Sequence, residues 1–238
     1  MKRQLPVAKT QIPQTFNQIA HRYDFLNHLL SFGVDKYWRN KMVDALPKDN
    51  NNLTILDLAT GTGDVAIQFA QKYPGIKKII GCDPADNMMA IGEKKVRRLN
   101  LSHLIEFKSG NAHNLPFADE SFDVVSMAFG LRNIPDMERG LSEIHRVLRR
   151  GGRAIILEFS IPENTIVKGP YLLYFKHILP AVGGIVSRNH KAYKYLNQSV
   201  EDFPMVSEIK FKMEKNKLAV YARPLSFGIA TLYVATKT

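Results

Sequence analysis

Between residues 53 and 160, short apolar runs alternate with amphipathic segments of helix length, and this alternation constrains the fold more than any other feature. "LTILDLA" (53–59) reads as a buried strand. "DVAIQFAQKY" (64–73) sets Val65, Ala66, Phe69 and Ala70 on one helical face, and Pro74-Gly75 ends it. "KKIIGCD" (77–83) is a second strand; the helix expected over 84–99 has Pro84 in its first turn and Asp83 as its cap. "LIEFKSG" (104–110), "SFDVVSMAF" (121–129) and "RAIILEFS" (153–160) read as further strands. A helix over 135–150 has the inner stripe Leu141, Ile144, Val147 and Leu148, with Gly151-Gly152 as its stop. The pattern predicts an α/β fold: a mostly parallel sheet, right-handed crossovers and helices on both faces. Helices are expected at 10–46, 166–180, 191–202 and 207–216, and a closing pair of strands at 217–223 and 230–236. With no internal repeat or low-complexity linker, residues 1–238 read as one domain.

The first strand runs straight into a glycine turn, "ILDLATGTGDVA" (55–66). In an open parallel sheet, ligands bind beyond the carboxyl ends of the strands, where the strand order reverses. Gly61, Gly63 and Ala66 fit G-x-G-x-x-[GA], and Asp83 follows about 20 residues later, as in a nicotinamide-dependent oxidoreductase. An acid ending the second strand serves a ribose in either class, so Asp83 does not discriminate. Asp57 does: it stands inside D-x-A-x-G-x-G, where a carboxylate repels a pyrophosphate and attracts a cationic cofactor. Asn111, in "SGNAHNLPF", is placed to hydrogen-bond an adenine edge. With the helix, double glycine and long strand of "RVLRRGGRAIILEFS", residues 53–160 resemble the Rossmann-like class I fold that binds S-adenosylmethionine.

The net charge of +11 is compatible with nucleic acid or an anionic membrane surface. The Asn/Asp-Pro-Pro-Tyr type of motif used on flipped bases is absent after the fourth strand, where "MAFGLRN" stands, so no nucleic-acid partner is expected. The single cysteine, Cys82, excludes an intramolecular disulfide framework. The seven histidines lack ligand spacing, so no metal is expected. The N-terminal stretch lacks a signal-type apolar core, and "YLLYFKHILPAVGGIV" (171–186) is interrupted by Lys176, His177, Pro180 and a Gly-Gly pair. A soluble cytoplasmic protein is expected.

"YDFLNHLLSFGVDKYW" (23–38), "FGLRN" (129–133) and "RVLRRGGRAIILEFS" (146–160) resemble the ubiquinone/menaquinone biosynthesis C-methyltransferase family over nearly the whole chain. Asp35 departs from it, since histidine is common there. The resemblance implies S-adenosylmethionine as cofactor and methylation of a ring carbon on a lipid-soluble, polyprenylated quinol, either demethylmenaquinol or a ubiquinone precursor. It implies cofactor contacts at Thr62, Asp83, Asn111 and Ala112, beside Asp57, Gly61 and Gly63. Residues 1–50 become a helical lid and 161–204 a helical insertion on the substrate side. Ring-carbon methylation benefits from a group that stabilises a quinolate. Arg132 is the candidate, with Asn133 orienting the quinol oxygen or a water and Tyr23 closing over the ring. Contact with the inner face of the membrane without crossing it is expected of residues 169–186, rimmed by Arg188, Lys191 and Lys194. A homodimer is left open.

Overall fold

The computed structural model describes residues 7–47, 51–181 and 190–238. Two helices open it, α1 (Ile12–Leu30) and α2 (Val34–Val43). The alternating core follows: β1 (Thr54–Leu58), α3 (Asp64–Lys72), β2 (Lys78–Asp83), α4 (Asp86–Arg98), β3 (Ile105–Ser109), β4 (Phe122–Ala128), α5 (Met137–Val147) and β5 (Leu148–Phe159). Then come α6 (Thr165–Leu173), a π-helical turn (Tyr174–Ile178), α7 (His190–Glu201), α8 (Val206–Lys215), β6 (Leu218–Leu225) and β7 (Ala230–Lys237). Arg188 lies outside the described residues, as does the side chain of Lys191.

The strands form one sheet in the order β3-β2-β1-β4-β5-β7-β6. β1 to β5 run parallel, and β7 pairs antiparallel with both β5 and β6. The order reverses at β1, between β2 and β4, which places a ligand crevice at its carboxyl end. Strand alternation divides the core. Ile55, Val124 and Ile155 face a cluster with Trp38 and Met42 of α2 and Phe69 of α3. Leu56, Val125 and Ile156 face the opposite cluster, with Ile144 of α5 and Met213 of α8. A third cluster joins α1 to the 161–204 segment through Ile19, Leu26, Tyr171, Phe175 and Val200, with Phe159 at the end of β5 packed against it.

Three local expectations need correction. The 10–46 segment is two helices, broken where Phe32 (φ 52°) and Gly33 (φ 75°) adopt left-handed backbone and Gly33 N–H closes onto His28 O at 2.8 Å. Asp83 does not cap α4; Ala85 holds that position, and Asp83 Oδ1 accepts from Ala85 N–H at 2.8 Å. Gly151 and Gly152 do not stop α5, which ends at Val147. They lie inside β5, where the pairing with β4 shifts register between Leu148 and Arg153. A Cβ on Gly152 would stand 2.7 Å from Arg149 O, so this bulge needs glycine.

Candidate active site

The turn after β1 is built around Asp57. In register it lies between Gly81 of β2 and Ser126 of β4. Its carboxylate is buried and accepts from Thr60 Oγ1 at 2.6 Å and Ser126 Oγ at 2.7 Å. Burial pushes its pKa up to about 6, against the lowering effect of those two hydroxyls and Ala66 N–H. Asp57 therefore braces the glycine turn from inside. Gly61 (φ 55°) and Gly63 (φ 79°) take left-handed backbone there, and a Cβ on Gly63 would come within 2.8 Å of Phe107.

Asp83 ties the second strand to the same turn. Oδ2 accepts from Gly61 N–H at 2.9 Å while Oδ1 holds Ala85. Burial raises its pKa to about 6, while the Ala85 and Gly61 amides pull the other way. Gly110 N–H reaches Asp83 O at 3.3 Å, bringing the Asn111–Ala112 turn to the same edge. Asn111 is exposed there and bridges to Asn114.

Helix α1 packs over these residues through a charged network absent from the sequence-based expectations. Thr62 Oγ1 donates to Asp24 Oδ1 of α1 at 2.7 Å. Lys95 Nζ of α4 reaches Asp24 Oδ2 at 2.5 Å and Asp64 Oδ1 at 2.7 Å. Arg39 Nη1 of α2 joins Asp64 to Asp35, each at 3.1 Å, and Asp35 accepts from Ser31 at 2.7 Å and pairs with His28 Nδ1 at 2.6 Å. Ala20 of α1 packs on Ala85 and Met88 beside Asp83.

A small cavity of about 40 Å³ lies between the turn, Asp57 and Tyr23. Next to it is one of about 590 Å³, and Tyr23, Arg39 and Phe129 line both. The large cavity is walled by apolar side chains from α1, α2, α6, the π turn, the end of β5 and the connection between β6 and β7, among them Phe16, Trp38, Phe159, Phe175 and Ile229. Arg132, on the 3₁₀ turn after β4 (Leu131–Asn133), enters it. Its Nη1 meets Glu158 Oε1 at 2.6 Å and Phe129 O at 2.6 Å, its guanidinium lies 5.3 Å from the Phe159 ring centre, and its buried Nε has no hydrogen-bond partner.

Asn133 sits beside the cavity wall: its Oδ1 accepts from Tyr195 O–H at 3.0 Å, and its amide nitrogen lies 3.4 Å from Phe129 O. The short turn points successive side chains apart, so Arg132 takes the cavity and Asn133 the wall. Glu158 escaped notice in the sequence, although a carboxylate inside "RAIILEFS" signals a buried cationic partner. Among the described residues, no cluster of His, Cys, Asp and Glu is grouped to hold a metal, and no helix is long and apolar enough to cross a membrane.

Strand order, glycine turn and the acid ending β2 define a class I S-adenosylmethionine-dependent methyltransferase. A solved S-adenosylmethionine-dependent methyltransferase from Aquifex aeolicus has this fold, with a TM-score of 0.61 at 17% identity over 84% of this chain and 89% of that one. The ubiE/COQ5 methyltransferase family model matches residues 4–237, and the chain belongs to that family. It is 44% identical to the ubiquinone/menaquinone biosynthesis C-methyltransferase UbiE of Geobacter sulfurreducens, over 95% of this chain and 88% of the relative. It is 45% identical to the demethylmenaquinone methyltransferase of Chlorobaculum tepidum, over 97% of this chain and 93% of the relative.

The residues present fit S-adenosylmethionine. A carboxylate offers about four acceptor sites; Asp83 uses two on backbone amides, leaving acceptors for the cofactor's vicinal ribose hydroxyls. Buried Asp57, when ionised, sets a negative potential under the glycine turn, which suits a cationic cofactor.

Proposed function

We propose that the chain methylates a ring carbon of a polyprenylated quinol, converting demethylmenaquinol to menaquinol. The observation that carries this reading is the apolar cavity of about 590 Å³ that shares Tyr23, Arg39 and Phe129 with the glycine-turn site and receives the buried cation Arg132. The relatives named as demethylmenaquinone methyltransferases support the choice of quinol.

When bound, S-adenosylmethionine supplies an electrophilic methyl group on a sulfonium. Asp83 would accept from its ribose hydroxyls, Asn111 and Ala112 would hold its adenine edge, and Thr62 would serve its methionine part. Gly61 and Gly63 give the backbone room, and Asp57 keeps the turn in place. Arg132 holds its charge next to the quinol ring and stabilises the quinolate left when the hydroxyl gives its proton to water before the cavity closes, which raises electron density at the carbon attacked. That carbon bonds the methyl as the carbon–sulfur bond breaks, and its own hydrogen then passes as a proton to the quinolate oxygen, restoring the aromatic quinol. Tyr23, lining both cavities, closes over the ring and excludes water. Asn133 acts through Tyr195, fixing the wall rather than touching the quinol.

The cavity mouth supports contact with a membrane surface. Phe32 and Phe227 both line it, both adopt left-handed backbone (φ 52° and 59°), and they are 81% and 83% exposed. Aromatic side chains held out at strained loop tips suit insertion among lipid headgroups, with exposed Lys168 and Lys194 toward anionic lipid at the inner face of the cell membrane. The test is incubation with S-adenosylmethionine and, separately, a prenylated naphthoquinol and a prenylated methoxybenzoquinol, followed by mass spectrometry. The naphthoquinol gains one methyl on a ring carbon. Methylation of the benzoquinol alone, or of neither, overturns the reading.

A further inference from the structure

Deep in the large cavity sits a second polar group without a partner. Tyr171, on α6, is 8% exposed and lines the cavity, and its buried hydroxyl makes no hydrogen bond. Nearly all buried hydroxyls are bonded, because stranding one costs about 1–3 kcal/mol. The unpartnered Nε of Arg132 belongs to the same cavity. An aromatic wall links the two: the Arg132 guanidinium lies 5.3 Å from the Phe159 ring, Phe159 lies 6.3 Å from Phe175, and Phe175 stacks on Tyr171 at 5.2 Å. Two unsatisfied donors, on side chains that line one apolar chamber and just beneath its surface, describe a site that an aromatic body with oxygen acceptors completes on entering.

We infer that the Tyr171 hydroxyl and Arg132 Nε form an oxygen clamp for the quinol, with Tyr171 donating to a ring oxygen and so fixing which ring carbon meets the methyl donor. The inference rests on the quinol reading above. Burial holds the Tyr171 hydroxyl well above the ordinary phenol range, despite the nearby positive charge of Arg132, so it stays a protonated donor at neutral pH. Its ring is stacked on Phe175, which limits the positions the hydroxyl can take when a ligand acceptor reaches it.

The test compares the parent chain with Tyr171→Phe, which keeps the ring and removes only the hydroxyl. Since that hydroxyl has no partner without ligand, the Tm of the free protein stays the same or rises slightly, and affinity for S-adenosylhomocysteine is unchanged. Affinity for a naphthoquinol with a short prenyl chain, measured by calorimetry, falls about tenfold, and kcat falls with it. An analogue of the same ring and chain without the ring oxygens binds both proteins equally. Equal naphthoquinol affinity in the two proteins overturns the clamp, as does an equal loss for the analogue without oxygens, or a Tm lowered by several degrees. If the parent chain itself binds no naphthoquinol, it is the quinol reading that fails.

Discussion

Arg132 and Glu158 form an ion pair of 2.6 Å in which the side chains are 5% and 0% exposed. Glu158 Oε2 also takes Arg132 N–H at 3.1 Å, and Oε1 takes Phe159 N–H at 2.9 Å. The carboxylate thus fixes both the backbone and the side chain of the residue that carries positive charge into the cavity. Breaking such a pair by removing one member leaves the other charge buried and uncompensated. Glu158→Ala should therefore lower stability to urea by about 3–5 kcal/mol. A variant as stable as the parent would show that Arg132 draws its support from elsewhere.

Arg132→Lys keeps a cation but loses the planar fork and its Nε donor. Turnover should fall by about 100-fold or more, the scale of one oxyanion-stabilising donor, while the Kd for S-adenosylhomocysteine moves less than about twofold. Steady-state kinetics with parallel calorimetry check this. Equal losses in both would remove Arg132 from the chemistry.

The two buried acids make binding and folding respond to pH in opposite directions. Burial holds both Asp57 and Asp83 up to about 6 in the folded protein, whereas in the unfolded chain they titrate near ~4. Between those values the folded state holds more protons, so stability of the free protein falls as pH rises through that window and is flat above it. Cofactor affinity needs ionised Asp83 as acceptor, so the Kd for S-adenosylhomocysteine should worsen as pH drops below about 6, by at most about tenfold per unit for one proton. Asp83→Asn should bind weakly and show a flatter profile. A parent Kd unchanged between pH 5 and pH 7.5 would refute the role of Asp83.

Lys95 joins Asp24 of α1 to Asp64 at the start of α3. Lys95→Met should loosen α1 without touching the sheet. Amide exchange in residues 12–30 should quicken severalfold, with β1 and β4 unchanged. Exchange in α1 as slow as in the parent would mean that packing of Ala20 and Leu26, rather than charge, holds α1 in place.

The order of strands and helices was legible because each element has its own hydrophobic period, and the turn after β1 was legible because left-handed backbone favours glycine. The start of β5 was not. Leu148 continues the apolar stripe of α5 at helical spacing, yet tertiary pairing with Phe122 draws it into the sheet and turns the following glycines into a bulge. Asp83 looked like a cap because Pro84 follows it, but its carboxylate is used across the crevice on Gly61. The large cavity had no local signature. Its walls come from residues as distant in sequence as Ile12 and Ile229, and Tyr171 reads as one more apolar helix position until its hydroxyl is seen without a partner.

Mass spectrometry of quinones extracted from cells lacking this chain reads out directly whether it places a methyl group on a lipid-borne quinol ring. The prenylated naphthoquinone pool should be short of one ring methyl, restored by the parent chain and not by Arg132→Lys. A fully methylated pool in those cells would contradict the quinol reading.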